Sequence, residues 1–195
     1  MKKLTVLLLA LATVFFAFKP ANEKGTYAVK SAESTVKWIG KKVSGEHFGM
    51  ISVKEGSLDV KKGQIKGGTF VIDMNTITVD DIQGEWADKL LGHLKSDDFF
   101  SVEKFNTATL EITNVKGKGS EVEVEGNLTI KGITKPIAFP AKVSIEGNTL
   151  TAEAKISVDR TQYDIKYGSG SFFDGLGDKM IYDNFDLEVA LTAAL

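Results

Sequence analysis

Two runs of strict alternation meet at a single glycine and limit what this chain can become. Ile137, Phe139, Ala141, Val143 and Ile145 alternate with Ala138, Pro140, Lys142, Ser144 and Glu146; then Leu150, Ala152, Ala154, Ile156 and Val158 alternate with Thr151, Glu153, Lys155, Ser157 and Asp159. Successive side chains of a strand point to opposite faces, so each run has one apolar face and one wet face. Gly147-Asn148 lies between them, and both residue types tolerate positive φ, which predicts a hairpin. Phe185, Leu187, Val189 and Leu191 repeat the pattern, as do Val36 with Trp38 and Phe70 with Ile72 and Met74. Further strands fit 48–60, interrupted at Gly56, and 105–112 and 122–130. Eight or nine strands at this spacing predict an all-β sandwich or barrel.

One segment departs from period two. From Glu85 to Lys95, Trp86, Leu90 and Leu94 recur every fourth residue beside Ala87 and Leu91, which predicts a short amphipathic helix that docks on the sheet or caps an opening. Beyond Pro20, the prolines are Pro136 and Pro140, on one strand, so that strand is expected at an edge or locally bulged. No linker, low-complexity tract or repeat divides the chain, so residues 22–195 read as one domain.

The first 21 residues read as a separate signal. Lys2 and Lys3 precede an uncharged stretch from Leu4 to Phe18, closed by Lys19-Pro20-Ala21. A helix of about 15 residues reaches about 22 Å, short of the ~30 Å hydrocarbon core of a bilayer, and fits the apolar region of an export signal. The expectation is a periplasmic or secreted protein with no permanent membrane anchor. Loss of Lys2, Lys3 and Lys19 leaves 21 basic residues against 26 acidic ones and takes the net charge from -2 to -5.

Composition then excludes several chemistries. The 195 residues contain no cysteine, which rules out disulfides, thiolate metal sites and cysteine nucleophiles. With two histidines a three-histidine metal site cannot form. No dense basic block exists, so nucleic acid is not expected as a partner. No Walker, GxSxG or HExxH sequence occurs, and Gly168-Ser169-Gly170-Ser171-Phe172-Phe173 carries phenylalanine where a dinucleotide fingerprint needs its third glycine. No catalytic set, metal or cofactor is expected.

A few polar and aromatic residues remain as candidates. His93 stands on the helix four residues before Asp97; it is read as a half-buried imidazole held by that carboxylate or as a polar contact to a ligand. Arg160 is the sole arginine among 24 basic residues. Its fixed fork of donors suits a buried ion pair or a headgroup. Phe172 and Phe173 sit in the glycine-rich loop, where they plug the barrel end or gate a cavity mouth.

Three ordered stretches carry a family resemblance. His93-Leu94-Lys95-Ser96-Asp97-Asp98-Phe99-Phe100 with Val102-Glu103-Lys104-Phe105, then Gly126-Asn127-Leu128-Thr129-Ile130-Lys131-Gly132-Ile133-Thr134-Lys135-Pro136, then Val158-Asp159-Arg160-Thr161-Gln162-Tyr163 resemble the YceI-like lipid/polyisoprenoid-binding proteins. The likeness runs from about Thr26 to Leu191, with Asn106 and Asp164 standing where the family commonly has proline and glycine. The resemblance implies a lipocalin-like antiparallel β-barrel of about eight strands, enclosing an isoprenoid or other long-chain amphiphile. Trp38, Phe70, Ile72, Phe139, Ile156, Phe172, Phe173 and Phe185 are the expected apolar ligand contacts, and His93 and Arg160 the expected headgroup contacts. The competing readings are an enzyme that uses His93, Asp97 or Arg160 on a hydrophobic ligand, and a stress-response barrel filled solid with side chains. Whether the chain forms a homodimer is left open.

Overall fold

The alternating runs become long antiparallel strands in a computed structural model that describes residues 24–195. The expected leader at 1–21 lies outside them. In chain order the elements are β1 (Lys24–Val29), β2 (Thr35–Lys42), β3 (Gly45–Lys61), β4 (Gln64–Asp73), helix α1 (Glu85–Lys95), β5 (Thr107–Lys118), β6 (Glu121–Ile130), β7 (Ile133–Glu146), β8 (Thr149–Asp159) and β9 (Ile181–Ala194). Strands β2 to β9 form an eight-stranded antiparallel barrel: β2 pairs with β9, the chain of pairings continues down to β4, and β4 returns to β3. Closure leaves these strands without a free sheet edge except where β7 and β8 part beyond Ala141↔Ala154.

β1 lies outside that ring because β3 is longer than its partner. The first part of β3 pairs with β2 as far as Val36↔Ile51, and the far part pairs with β1 from Ala28↔Ser57 to Lys24↔Lys61. β1 also touches the end of β9 through Ala28↔Ala194 and Val29↔Ala193. Gly56, expected to break this strand, lies inside it. The register shifts between Val53 and Glu55 and between Asp59 and Val60, so bulges beside the glycine absorb the irregularity and the ladder continues. Gly56 itself faces the Phe70 ring so closely that a Cβ could not fit.

The β7–β8 hairpin turns at 147–148, where Gly147 takes φ 59°. Positive φ falls on the glycine and not on Asn148, the type II′ arrangement. Pro136 and Pro140 occupy a strand that is interior in the sheet order, between β6 and β8, rather than at an edge. The ladder to β8 nevertheless begins only at Ala141↔Ala154, and residues 133–140 pair with β6 alone. The prolines thus lie where no hydrogen-bonding neighbour is demanded on one side.

The two ends of the barrel differ. At the end of the 62–63 and 147–148 turns the interior is filled: Tyr27, Leu150 and Ala193 are fully buried with Leu58, and the Tyr27 hydroxyl donates to the Gly147 carbonyl at 3.3 Å. The opposite end receives the β2–β3 turn, the segment holding α1 and the 160–180 connection. Leu94 is buried under α1 with Leu90 and Leu91 packed beside it, whereas Trp86 is 72% exposed. Trp86 therefore leaves the expected apolar stripe. It stands at the second position of the helix, beyond the cover of the strands, with the Lys89 ammonium 5.0 Å from its ring.

Candidate functional site

Between the filled end and α1 the barrel encloses a cavity of about 590 Å³, within the ~300–1,000 Å³ range of ligand pockets. Strand alternation aims its walls inward: Trp38 from β2, Phe70 and Ile72 from β4, Phe139 from β7, Ile156 from β8 and Phe185 from β9 all line it. Leu90, Leu94, Phe99 and Phe100 close it from α1 and the turn that follows. The space exists because the inward positions of neighbouring strands are small, with Ala141 on β7 and Ala152 and Ala154 on β8. Such a void rules out the barrel filled solid with side chains. Trp38 is fixed in the wall by its indole N–H, which donates to the Thr78 carbonyl at 2.9 Å. Gly49 opposite it admits no side chain, since a Cβ would run into the same carbonyl.

The structure brings His93 and Arg160 to this cavity, where the donors of Arg160 are engaged by the fold and His93 packs against aromatic rings. Arg160 is 2% exposed. Its Nε donates to the Tyr182 carbonyl at 3.1 Å, Nη1 to the Ile165 carbonyl at 2.7 Å and Nη2 to the Ile181 carbonyl at 3.1 Å. Burial pulls its pKa below the ordinary arginine value, opposed by the charges of Asp183 and Asp159. Asp183 Oδ1 lies 3.8 Å from Nη2, too far for a hydrogen bond, and is itself buried without one. Arg160 is thus first a clamp on three backbone carbonyls, with its guanidinium 5.5 Å from the Phe99 ring centre.

His93 is not held by Asp97. The Asp97 carboxylate accepts from Ser101 Oγ and from Lys104 Nζ, the latter at 2.7 Å, because the chain turns after α1 and points Asp97 outward. The imidazole instead meets Tyr167 and Phe99 edge-on, with ring centres 4.4 and 5.2 Å away, and its Nε2 is buried with no hydrogen-bond partner.

Phe172 and Phe173 neither line the cavity nor plug the barrel. They are 49% and 51% exposed. Both backbone N–H groups donate to the Ser169 carbonyl, at 3.2 and 3.0 Å, and this turn around buried Ser169 throws the two rings outward. Lys166 Nζ stands 5.2 Å from the centre of the Phe172 ring.

His47 is among the wall residues that the sequence reading of the site missed. His47 lines the mouth of the cavity from β3, in phase with Gly49, Ile51 and Val53, so the same alternation that found Trp38 places it inward. Its Nδ1 is 2.7 Å from Asp81 Oδ2, while Asp81 Oδ1 accepts from the Phe48 N–H at 3.0 Å. Burial raises the Asp81 pKa, and the hydrogen bonds from His47 and Phe48 outweigh it, so the carboxyl lies below its ordinary value. An ionised Asp81 fixes the proton on Nδ1 and leaves Nε2 for other partners. Lys42, Ser44 and Lys179 stand on the same rim. Among the described residues no group of three or more His, Cys, Asp or Glu side chains is gathered as a metal site would require.

Comparisons place this barrel among known proteins. A UPF0312 protein of Pseudomonas paraeruginosa is 37% identical over 101 residues, which is 52% of this chain and 51% of that protein. The chain thus matches about half the length of such curated relatives. The crystal structure of BcnA from Burkholderia cenocepacia superimposes with a TM-score of 0.69 at 20% identity, covering 85% of this chain and 99% of the other. A polyisoprenoid-binding domain from Saccharophagus degradans superimposes with a TM-score of 0.64 at 14% identity, covering 86% and 97%. At those identities the likeness is one of fold. The family model of the YceI-like domain matches residues 27–193, nearly the whole described chain, and the protein therefore belongs to the YceI-like family.

Proposed function

We propose that this protein is an exported carrier that holds one isoprenoid-type or similar long-chain amphiphile inside its barrel and performs no covalent chemistry on it. The observation that carries this reading is the cavity of about 590 Å³, walled almost wholly by apolar side chains and shut at one end by the packed core around Tyr27. Each methylene moved from water into such a wall contributes about 0.8 kcal/mol, so a chain of about twenty carbons supplies a large gross driving force before the cost of immobilising it. Few polar contacts are needed for such a ligand. The polyisoprenoid-binding domain of like fold supports the same ligand class, and the sequence of residues 1–21, two lysines before an uncharged apolar run, supports export.

Organic extraction of the full chain purified from its native source, followed by mass spectrometry, tests this. The expected result is a long-chain, isoprenoid-type molecule at about one per protein. Protein that yields no lipid and binds no long-chain probe overturns it.

A further inference from the structure

The inner end of the cavity is closed by a strand that the rest of the ring does not need. Toward the mouth β2 lies between β9 and β3; at the far end β2 has not begun and β1 takes its place, pairing with β3 at Tyr27↔Leu58 and with β9 at Ala28↔Ala194. β1 thereby carries Tyr27 into the end of the barrel. The Tyr27 hydroxyl donates to the Gly147 carbonyl at 3.3 Å, which ties β1 to the β7–β8 turn. Leu150 and Ala193, partners across β8 and β9, are fully buried at the same end.

The floor of the cavity lies one inward position above this plug. Ala152 lines the cavity with its partners Val143 on β7 and Leu191 on β9, whereas Leu150, the next inward residue of β8, is sealed in the plug. The β7–β8 ladder gives no outlet at this depth: it is unbroken from Ala141↔Ala154 to Glu146↔Thr149 and parts only toward the mouth. A chain that enters from the mouth therefore ends at Ala152. A methylene packed at interior density takes about 30 Å³, near the share of one water in the liquid, so the cavity of about 590 Å³ holds about twenty carbons. Further carbons remain outside. Each one drawn from a bilayer into water lowers the exchange constant about fourfold.

We infer that the plug around Tyr27 is a length stop, which makes the protein selective for chains of about four isoprene units over longer ones. This rests on the reading of the cavity as a lipid site and adds how long a chain the site accepts. Tyr27 is the stop, and the small side chain of Ala152 sets its depth.

The test incubates the full chain, stripped of lipid, with phosphatidylcholine vesicles that carry equal amounts of farnesol, geranylgeraniol and octaprenol, the three-, four- and eight-unit prenols. Protein is then separated from the vesicles by flotation, and its bound prenols are counted by mass spectrometry. Geranylgeraniol is expected to be enriched about tenfold or more over octaprenol. A152F places a ring of about one isoprene unit's bulk on the floor and is expected to bring farnesol above geranylgeraniol at an unchanged urea midpoint. Y27A removes the stop and is expected to raise the share of octaprenol; it is read only if its urea transition persists, and A152F, which fills open space, decides by itself if it does not. Octaprenol captured as well as geranylgeraniol by the unaltered protein overturns the length stop while leaving the lipid site intact, as does an A152F protein of unaltered preference. Protein that takes up neither prenol nor phospholipid overturns the carrier reading itself.

Discussion

The guanidinium of Arg160 ties together two turns that the chain reaches separately, by donating to the carbonyl of Ile165 on one side and to those of Ile181 and Tyr182 on the other. A buried charge that serves three acceptors leaves all three unpaired when it is removed, and each such loss costs about 1–3 kcal/mol. Arg160→Met is expected to lower unfolding free energy by about 3 kcal/mol or more, measured by urea denaturation, with Arg160→Lys recovering little of it because one ammonium cannot reach three separated carbonyls. Asp81 gives a residue-level pH prediction. A carboxyl held below its ordinary value contributes stability above the unfolded pKa near ~3.9 and loses it as pH falls through the folded value. Asp81→Asn is expected to lower the urea midpoint at neutral pH and to flatten its decline below about pH 4. An unchanged midpoint at pH 7 would refute the role of the His47–Asp81 pair in holding the rim. The identities of His93 and Arg160 as cavity neighbours were legible from the sequence; their partners were not, since carbonyls at 165, 181 and 182 carry no side-chain signature. His47 was legible by its phase on β3, but its partner Asp81 lies in an irregular segment with no period.

At the scale of elements, the strands followed alternation closely because one face of each is buried. The helix limits followed the four-residue repeat equally well, Glu85 to Lys95. What the repeat could not settle is how far the barrel end reaches along the helix: Leu94 is 6% exposed and Trp86 72%. Leu94→Ala is accordingly expected to cost about 2–5 kcal/mol, whereas Trp86→Gln should fall within about 0.5 kcal/mol of the unaltered protein in the same denaturation experiment. The prolines on β7 mark a second element-level feature. The ladder between β7 and β8 covers Ala141 to Glu146 and stops where Pro140 and Pro136 begin. Amides of Lys155 to Asp159 directed toward β7 should therefore exchange with solvent faster than those of Leu150 to Ala154, read by hydrogen exchange with residue resolution. Equal protection on both stretches would show the seam to be sealed.

The whole molecule is a closed barrel with one packed end, one end covered by α1 and an apolar space between them. The fold class could be read before the structure because eight strands with one apolar face each must enclose that face. The size of the space could not, because it depends on which inward positions from different strands meet, and alanines at 141, 152 and 154 coincide only in three dimensions. The same positions supply the most direct test of ligand residence in the barrel. Ala154→Phe places a ring in open space rather than in packed core, where overfilling would cost about 1–3 kcal/mol, so the fold should be retained. Native mass spectrometry with geranylgeranyl phosphate is expected to show a one-to-one complex for the unaltered chain and none for Ala154→Phe at an unchanged unfolding midpoint. Undiminished binding by the filled barrel would contradict the account and place the ligand elsewhere.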